Sequence, residues 1–171
     1  MKARSCAITG SSPMFSPWDY DEEDENCAAL KLLLLNRITL LRAEEVTDFT
    51  VVMDSGVGLY TAEMINSLRE TDPKMSLTCL VPYEEQSTKW TPELRNRYFN
   101  EQAKCSDVEF ASMEKTAASE VIAMLDAVDK AEHVIAVKSE TDYLISVALH
   151  YAERLGRKII AIDAERMQYY A

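Results

Sequence analysis

Small and hydroxyl-bearing residues gather at two places in this chain of 171 residues. Thr9-Gly10-Ser11-Ser12-Pro13 closes one short apolar run. Asp54-Ser55-Gly56-Val57-Gly58 closes another and leads into a helix-like stretch. Glycine lets backbone approach a ligand closely, and free N–H groups at a helix start attract anions. The hydroxyls of Thr9, Ser11, Ser12 and Ser55 add donors. The competing reading is that Gly10, Gly56 and Gly58 only make tight turns. No G-x-G-x-x-G and no G-x-x-x-x-G-K-[ST] is present, and the chain has four glycines in all, so a standard dinucleotide or P-loop site is not expected.

A third run, Val81-Pro82-Tyr83-Glu84-Glu85-Gln86 followed by Trp90, brings aromatic rings and an amide. Tyr83 and Trp90 suit stacking on a base and Gln86 suits bonding to its edge. Covering the end of a sheet explains the same residues. Ser139, in Lys138-Ser139-Glu140-Thr141-Asp142, reads as part of a helix cap with ligand contact as the lesser role. Asp19 to Glu25 holds six carboxylates in seven residues, a solvated lead-in that suits a helix N-terminus. Cys6, Cys27, Cys79 and Cys105 form no C-x-x-C, and His133 and His150 have no nearby Cys or His to share a metal, so no metal site is assigned. No cofactor and no catalytic residue is assigned either.

The elements that must carry these loops alternate between two periods. Strands are expected over 5–9, 49–53, 75–81, 107–111, 133–137 and 158–162. Helices are expected over 25–44, 59–69, 91–104, 114–129 and 142–155, with Thr91-Pro92 starting the third and Gly156 ending the last. The strands are continuous apolar runs rather than alternating ones, which suits a sheet covered on both faces. The expected fold is α/β: one domain over 1–171, a three-layer α/β/α Rossmann-like sandwich with a mainly parallel sheet. Ligands bind such sheets outside the carboxyl ends of the strands, so the turns near 10, 56 and 83 are expected at one rim.

Composition limits the partners. With 18 basic and 29 acidic residues the formal charge is −11, which does not neutralise a phosphate backbone, so nucleic acid is not an expected partner. No apolar run approaches the ~20 residues that span a bilayer, and the start is too polar for a signal peptide, so no membrane partner and a cytoplasmic location are expected.

The loops together resemble the YpsA-like family of the SLOG superfamily. The resemblance runs from Ala7-Ile8-Thr9-Gly10-Ser11-Ser12-Pro13, through Ser55-Gly56-Val57-Gly58-Leu59-Tyr60-Thr61-Ala62-Glu63, to Pro82-Tyr83-Glu84-Glu85-Gln86, Trp90 and Arg97-Tyr98. It implies a Rossmannoid fold and a pocket for a nucleotide or nucleotide-derived ligand. Many relatives have His-Arg where Ser11-Ser12 stand here, an acidic residue at Gly58, and a Gly-Gly-Thr loop near Tyr143–Ile145. Glu63 is the matching carboxylate, suited to a ribose hydroxyl or to a base's role.

Three functions follow as expectations. The first is a binding module for a nucleotide-like small molecule, lined by Thr9, Gly10, Ser11, Ser12, Ser55, Gly56, Gly58, Glu63, Tyr83, Gln86, Trp90 and Ser139, without clear catalysis. The second is an interaction protein with a decayed pocket, such as a homodimer, using Tyr143 and Met167-Gln168-Tyr169-Tyr170. The third is a phosphoribohydrolase-like enzyme that needs Glu63 and a cation in one pocket.

Overall fold

A strand apolar at odd and even positions alike must be covered on both sides, and this sheet is. The computed structural model describes residues 2–170, with side chains from Arg4 to Met167. Strands β1 (Lys2–Gly10), β2 (Asp48–Val52), β3 (Ser76–Tyr83), β4 (Asp107–Ser112), β5 (Ala131–Lys138) and β6 (Lys158–Asp163) alternate with helices. The helices are α1 (Glu25–Ala43), α2 (Val57–Arg69), α3 (Pro92–Lys104), α4 (Ser119–Asp129) and α5 (Tyr143–Arg154). The six strands run parallel, and a short β7 (Gln168–Tyr170) adds antiparallel to β6. Their order is β4-β3-β2-β1-β5-β6-β7.

The period of two sorts the side chains into two cores. Cys6, Ile8, Phe49, Val51, Leu77 and Cys79 pack with Leu30, Leu34 and Ile38 of α1, Ile65 of α2 and Tyr98 of α3. The intervening Ala7, Val52, Leu80, Val134 and Ala136 pack with Ala123, Met124 and Ala127 of α4 and Ile145, Ala148 and Ala152 of α5. Alanines dominate the second core, which lets α4 and α5 lie close to the strands. The chain builds outward from β1 to β4, then returns through α4 to place β5 on the other side of β1. The order therefore reverses between β1 and β5, and a crevice opens at that point, above the carboxyl ends.

The expected α/β sandwich and its order of elements are present, with local differences. Helix α4 begins at Ser119 rather than 114. The Ser119 hydroxyl accepts from the Thr116 N–H at 2.8 Å and lies 3.3 Å from the Glu114 carbonyl, which holds 114–118 as turns. The end of the chain, expected as a tail, pairs as β7. The predicted start and stop are found: Thr91 caps the start of α3, and Gly156, just past the end of α5, has φ +70°.

Helix α2 is held unusually close to the sheet. A Cβ on Gly58 would strike the Val52 carbonyl oxygen and come within 2.9 Å of the Met53 Cα, both backbone. Gly58→Ala is expected to cost about 2–3 kcal/mol, because a packed backbone cannot give way. Urea unfolding checks this, with a lower midpoint at unchanged slope as the expected result.

Candidate functional site

The turns after β1, β2 and β3 meet at one rim. Gly10 ends β1 and Ser12 follows it, Asp54 and Ser55 follow β2, and Tyr83 ends β3 with Gln86 and Trp90 after it; all line a single cleft of about 140 Å³. Phe15 and Tyr20 border it from the loop before α1, Glu120 and Met124 from α4, and Asp142 and Leu144 from the start of α5. The cleft therefore sits at the reversal of strand order, over the face that α4 and α5 cover.

Asp54 organises this rim. Its Oδ1 accepts from the Gly56 N–H at 2.7 Å and the Gly58 N–H at 2.9 Å. These amides are among the unpaired donors at the start of α2. The helix N-terminus expected to attract an anion thus already holds a carboxylate of its own chain. Burial pushes the Asp54 carboxyl up to about 7, and the charges of Glu120 and Asp142 add to this against the pull of the two amides. Asp142 is 7% exposed and caps α5, its Oδ1 accepting from the Leu144 N–H at 3.0 Å. Among the described residues no Lys, Arg or His lines the cleft, and no group of three His, Cys, Asp or Glu is placed to hold a metal ion.

The glycines pack turns against one another. A Cβ on Gly10 would meet the Val57 side chain at 2.6 Å, and one on Gly56 would meet Pro13 at 2.6 Å. Gly56 and Ser11 line a separate, smaller crevice with Trp18 and Tyr60, and Gly58 faces the backbone of β2. The tight-packing reading therefore accounts for all three glycines, although Gly10 also borders the cleft.

Several candidates are committed elsewhere. Gln86 donates through Nε2 to the Met53 carbonyl at 2.7 Å and accepts at Oε1 from the Tyr98 hydroxyl at 3.0 Å. Its amide thus ties β2 to α3, although the residue borders the cleft. Glu63 does not line the cleft. Its carboxylate pairs with Arg97 at 2.7 Å, and Arg97 pairs with Glu22 at 2.6 Å, so this triad fastens the loop before α1 to α2 and α3. The arrangement that the hydrolase reading needs, with Glu63 in the pocket, is absent. Ser139 is buried, its hydroxyl 2.7 Å from both the Phe15 carbonyl and the Glu165 carboxylate, and its N–H donates to the Ser11 hydroxyl at 3.2 Å. The Thr9 hydroxyl is buried without a hydrogen-bond partner among the described residues and is not part of the cleft wall. Tyr143 is 78% exposed; the side chains of Gln168, Tyr169 and Tyr170 lie outside the described residues.

The model described as the YspA SLOG family (YpsA) matches residues 6–167. The chain belongs to this family. A UPF0398 protein of Bacillus licheniformis is 28% identical over 92 residues, 54% of this chain and 50% of that protein. One from Halalkalibacterium halodurans is 32% identical over 69 residues, 40% of this chain and 36% of that protein. The match thus spans half or less of these relatives' length. Within this YpsA SLOG chain, the resembling loops at 7–13, 55–63 and 82–90 are those that build the rim. Asp54, Glu120 and Asp142 escaped the sequence reading as cleft residues. Asp54 carried a readable signal, since an Asp two residues before the first of two glycines at a helix start is a capping pattern. Glu120 carried none, because the pattern placed the helix start at 114.

Ionisation of Asp54 has a defined effect on stability. Its folded pKa lies above the unfolded value, so the native state gains from the proton and loses stability as pH rises from about 4 through about 7. Asp54→Asn keeps an oxygen for the two amides and removes the charge. At pH 8 the variant is expected to be more stable by about 1 kcal/mol or more, roughly 2–4 °C in Tm for a chain this size. The gap shrinks as pH falls toward 4, which thermal unfolding across a pH series checks.

Proposed function

We propose that this protein binds a small nucleotide-derived ligand in the cleft above the ends of β1, β2 and β3. The observation that carries this reading is the cleft's position, at the reversal of strand order between β1 and β5 and walled by Tyr83 and Trp90. Family membership supports it, since the family's fold is nucleotide-related. Gly10, Ser12, Ser55, Tyr83, Gln86 and Trp90 border the ligand in this reading, joined by Asp54 and Asp142. Ser11, Gly56 and Ser139 support the rim from behind, and Glu63 with Arg97 braces it from outside.

The size of the cleft limits what enters. An engineered cavity of about 150 Å³ accommodates one benzene, so this cleft takes one ring system and leaves the rest of a nucleotide outside. A ligand that binds only the folded state stabilises it by mass action, by about 2.7 kcal/mol at a hundredfold excess over Kd, and so raises Tm. Thermal unfolding with a panel of bases, nucleosides, nucleotides, ADP-ribose and NAD is expected to show at least one such rise. No shift across the panel counts against the reading.

A further inference from the structure

We propose that the cleft takes an amino-bearing nucleobase, as free base or nucleoside, and rejects the 5′-phosphorylated form. This rests on the reading above and adds which chemistry enters. The charged lining of the cleft is Asp54, Glu120 and Asp142, without a balancing cation among the described residues. Asp142, 7% exposed, uses one carboxylate oxygen on the Leu144 N–H, and its Oδ2 accepts no hydrogen bond among those residues. Asp54 likewise spends Oδ1 on two amides and leaves Oδ2 without a donor. Both residues line the cleft, and a carboxylate oxygen that faces it without a protein donor is matched by a donor on the ligand. The exocyclic amines of adenine, guanine and cytosine are such donors, whereas the base of uridine has no amine and offers one N–H flanked by two carbonyls. Tyr83, Trp90, Met124 and Leu144 supply ring and apolar wall for the flat faces.

The surroundings are no kinder to phosphate. The groove that adjoins the cleft across Tyr83, Gln86 and Trp90 sets Lys89 and Lys115 against Glu84, Glu85 and Glu114. The groove beyond Tyr20 and Trp90 holds Lys89 and Arg97 with four carboxylates, and Arg97 is already clasped by Glu22 and Glu63. The amides at the start of α2, the other natural seat for an anion, are taken by Asp54. A phosphate attached to a ring in the cleft therefore meets net negative charge along either exit.

Calorimetric titration of the full chain with adenosine, guanosine, cytidine, uridine and their 5′-monophosphates tests this. Amino-bearing nucleosides are expected to bind at least about tenfold tighter than uridine, the size of one hydrogen bond to a charged group. Each monophosphate is expected to bind at least about tenfold more weakly than its nucleoside, by like-charge repulsion. Asp142→Asn keeps a capping side chain and Asp54→Asn keeps an acceptor for the amides. Each is expected to narrow the gap between adenosine and its monophosphate. Monophosphates that bind as tightly as nucleosides, or uridine as tightly as adenosine, overturn the proposal and leave the binding reading standing. A gap unchanged in both variants overturns the assignment to these carboxylates. Binding by no member of the series overturns the proposal, and a Tm rise with ADP-ribose or NAD in the thermal panel then keeps the broader reading, which falls only if that panel is blank as well.

Discussion

A single carboxylate oxygen settles the character of this molecule's rim. The Oδ1 of Asp54 takes the N–H groups of Gly56 and Gly58, which would otherwise face solvent or a ligand. In nucleotide-binding α/β folds such a helix start is where a phosphate commonly rests. Here the chain closes that position from within. The bond also fixes where α2 begins, and Gly58 then presses directly on the backbone of β2. Position and charge of the rim thus come from one interaction.

The polar groups around the cleft divide into those that hold turns and those left over. Gln86 joins the end of β2 to Tyr98, Ser11 receives the Ser139 N–H, and the Ser139 hydroxyl meets the carbonyl of Phe15. Glu63, Arg97 and Glu22 brace the outside. Three connections that lie far apart in sequence become one wall by these bonds, because each turn is tied to its neighbour and not to its own strand alone. What remains uncommitted along the cleft is mostly aromatic surface and carboxylate oxygen.

The fold was legible because its signals are local. Apolar runs without alternation, Thr91-Pro92 at a helix start and Gly156 after a helix end each report on a few consecutive residues. The rim was legible for the same reason, since strand ends in a parallel sheet share one edge. The roles of its residues were not. Gln86 looks like a base reader until Tyr98 and Met53 are seen on its two ends. Glu63 looks like a free carboxylate until Arg97, 34 positions away, is seen against it. Such partners are chosen by tertiary packing and leave no mark at fixed spacing. Asp142 reads as part of a cap, but its place in the cleft with Asp54 depends on the crossover through α4, which brings β5 and the segment after it beside β1.

Gathering carboxylates in a small cleft is unfavourable for the protein alone. Two unit charges about 6 Å apart at an effective dielectric of about 20 repel by roughly 3 kcal/mol. The protein's own relief is a proton on Asp54, whose carboxyl burial and the neighbouring Glu120 and Asp142 push up to about 7. A ligand that donates hydrogen bonds to the same oxygens offers a second relief. Proton and ligand then act on one group. An anion offers neither, because it would add charge where the chain has already spent its helix N-terminus on a carboxylate. A chain with net charge −11 repels anions at long range as well, so the local and the overall field point the same way. The strand ends supply the cleft, and the carboxylate that fills its anion-binding corner sets the cleft's charge.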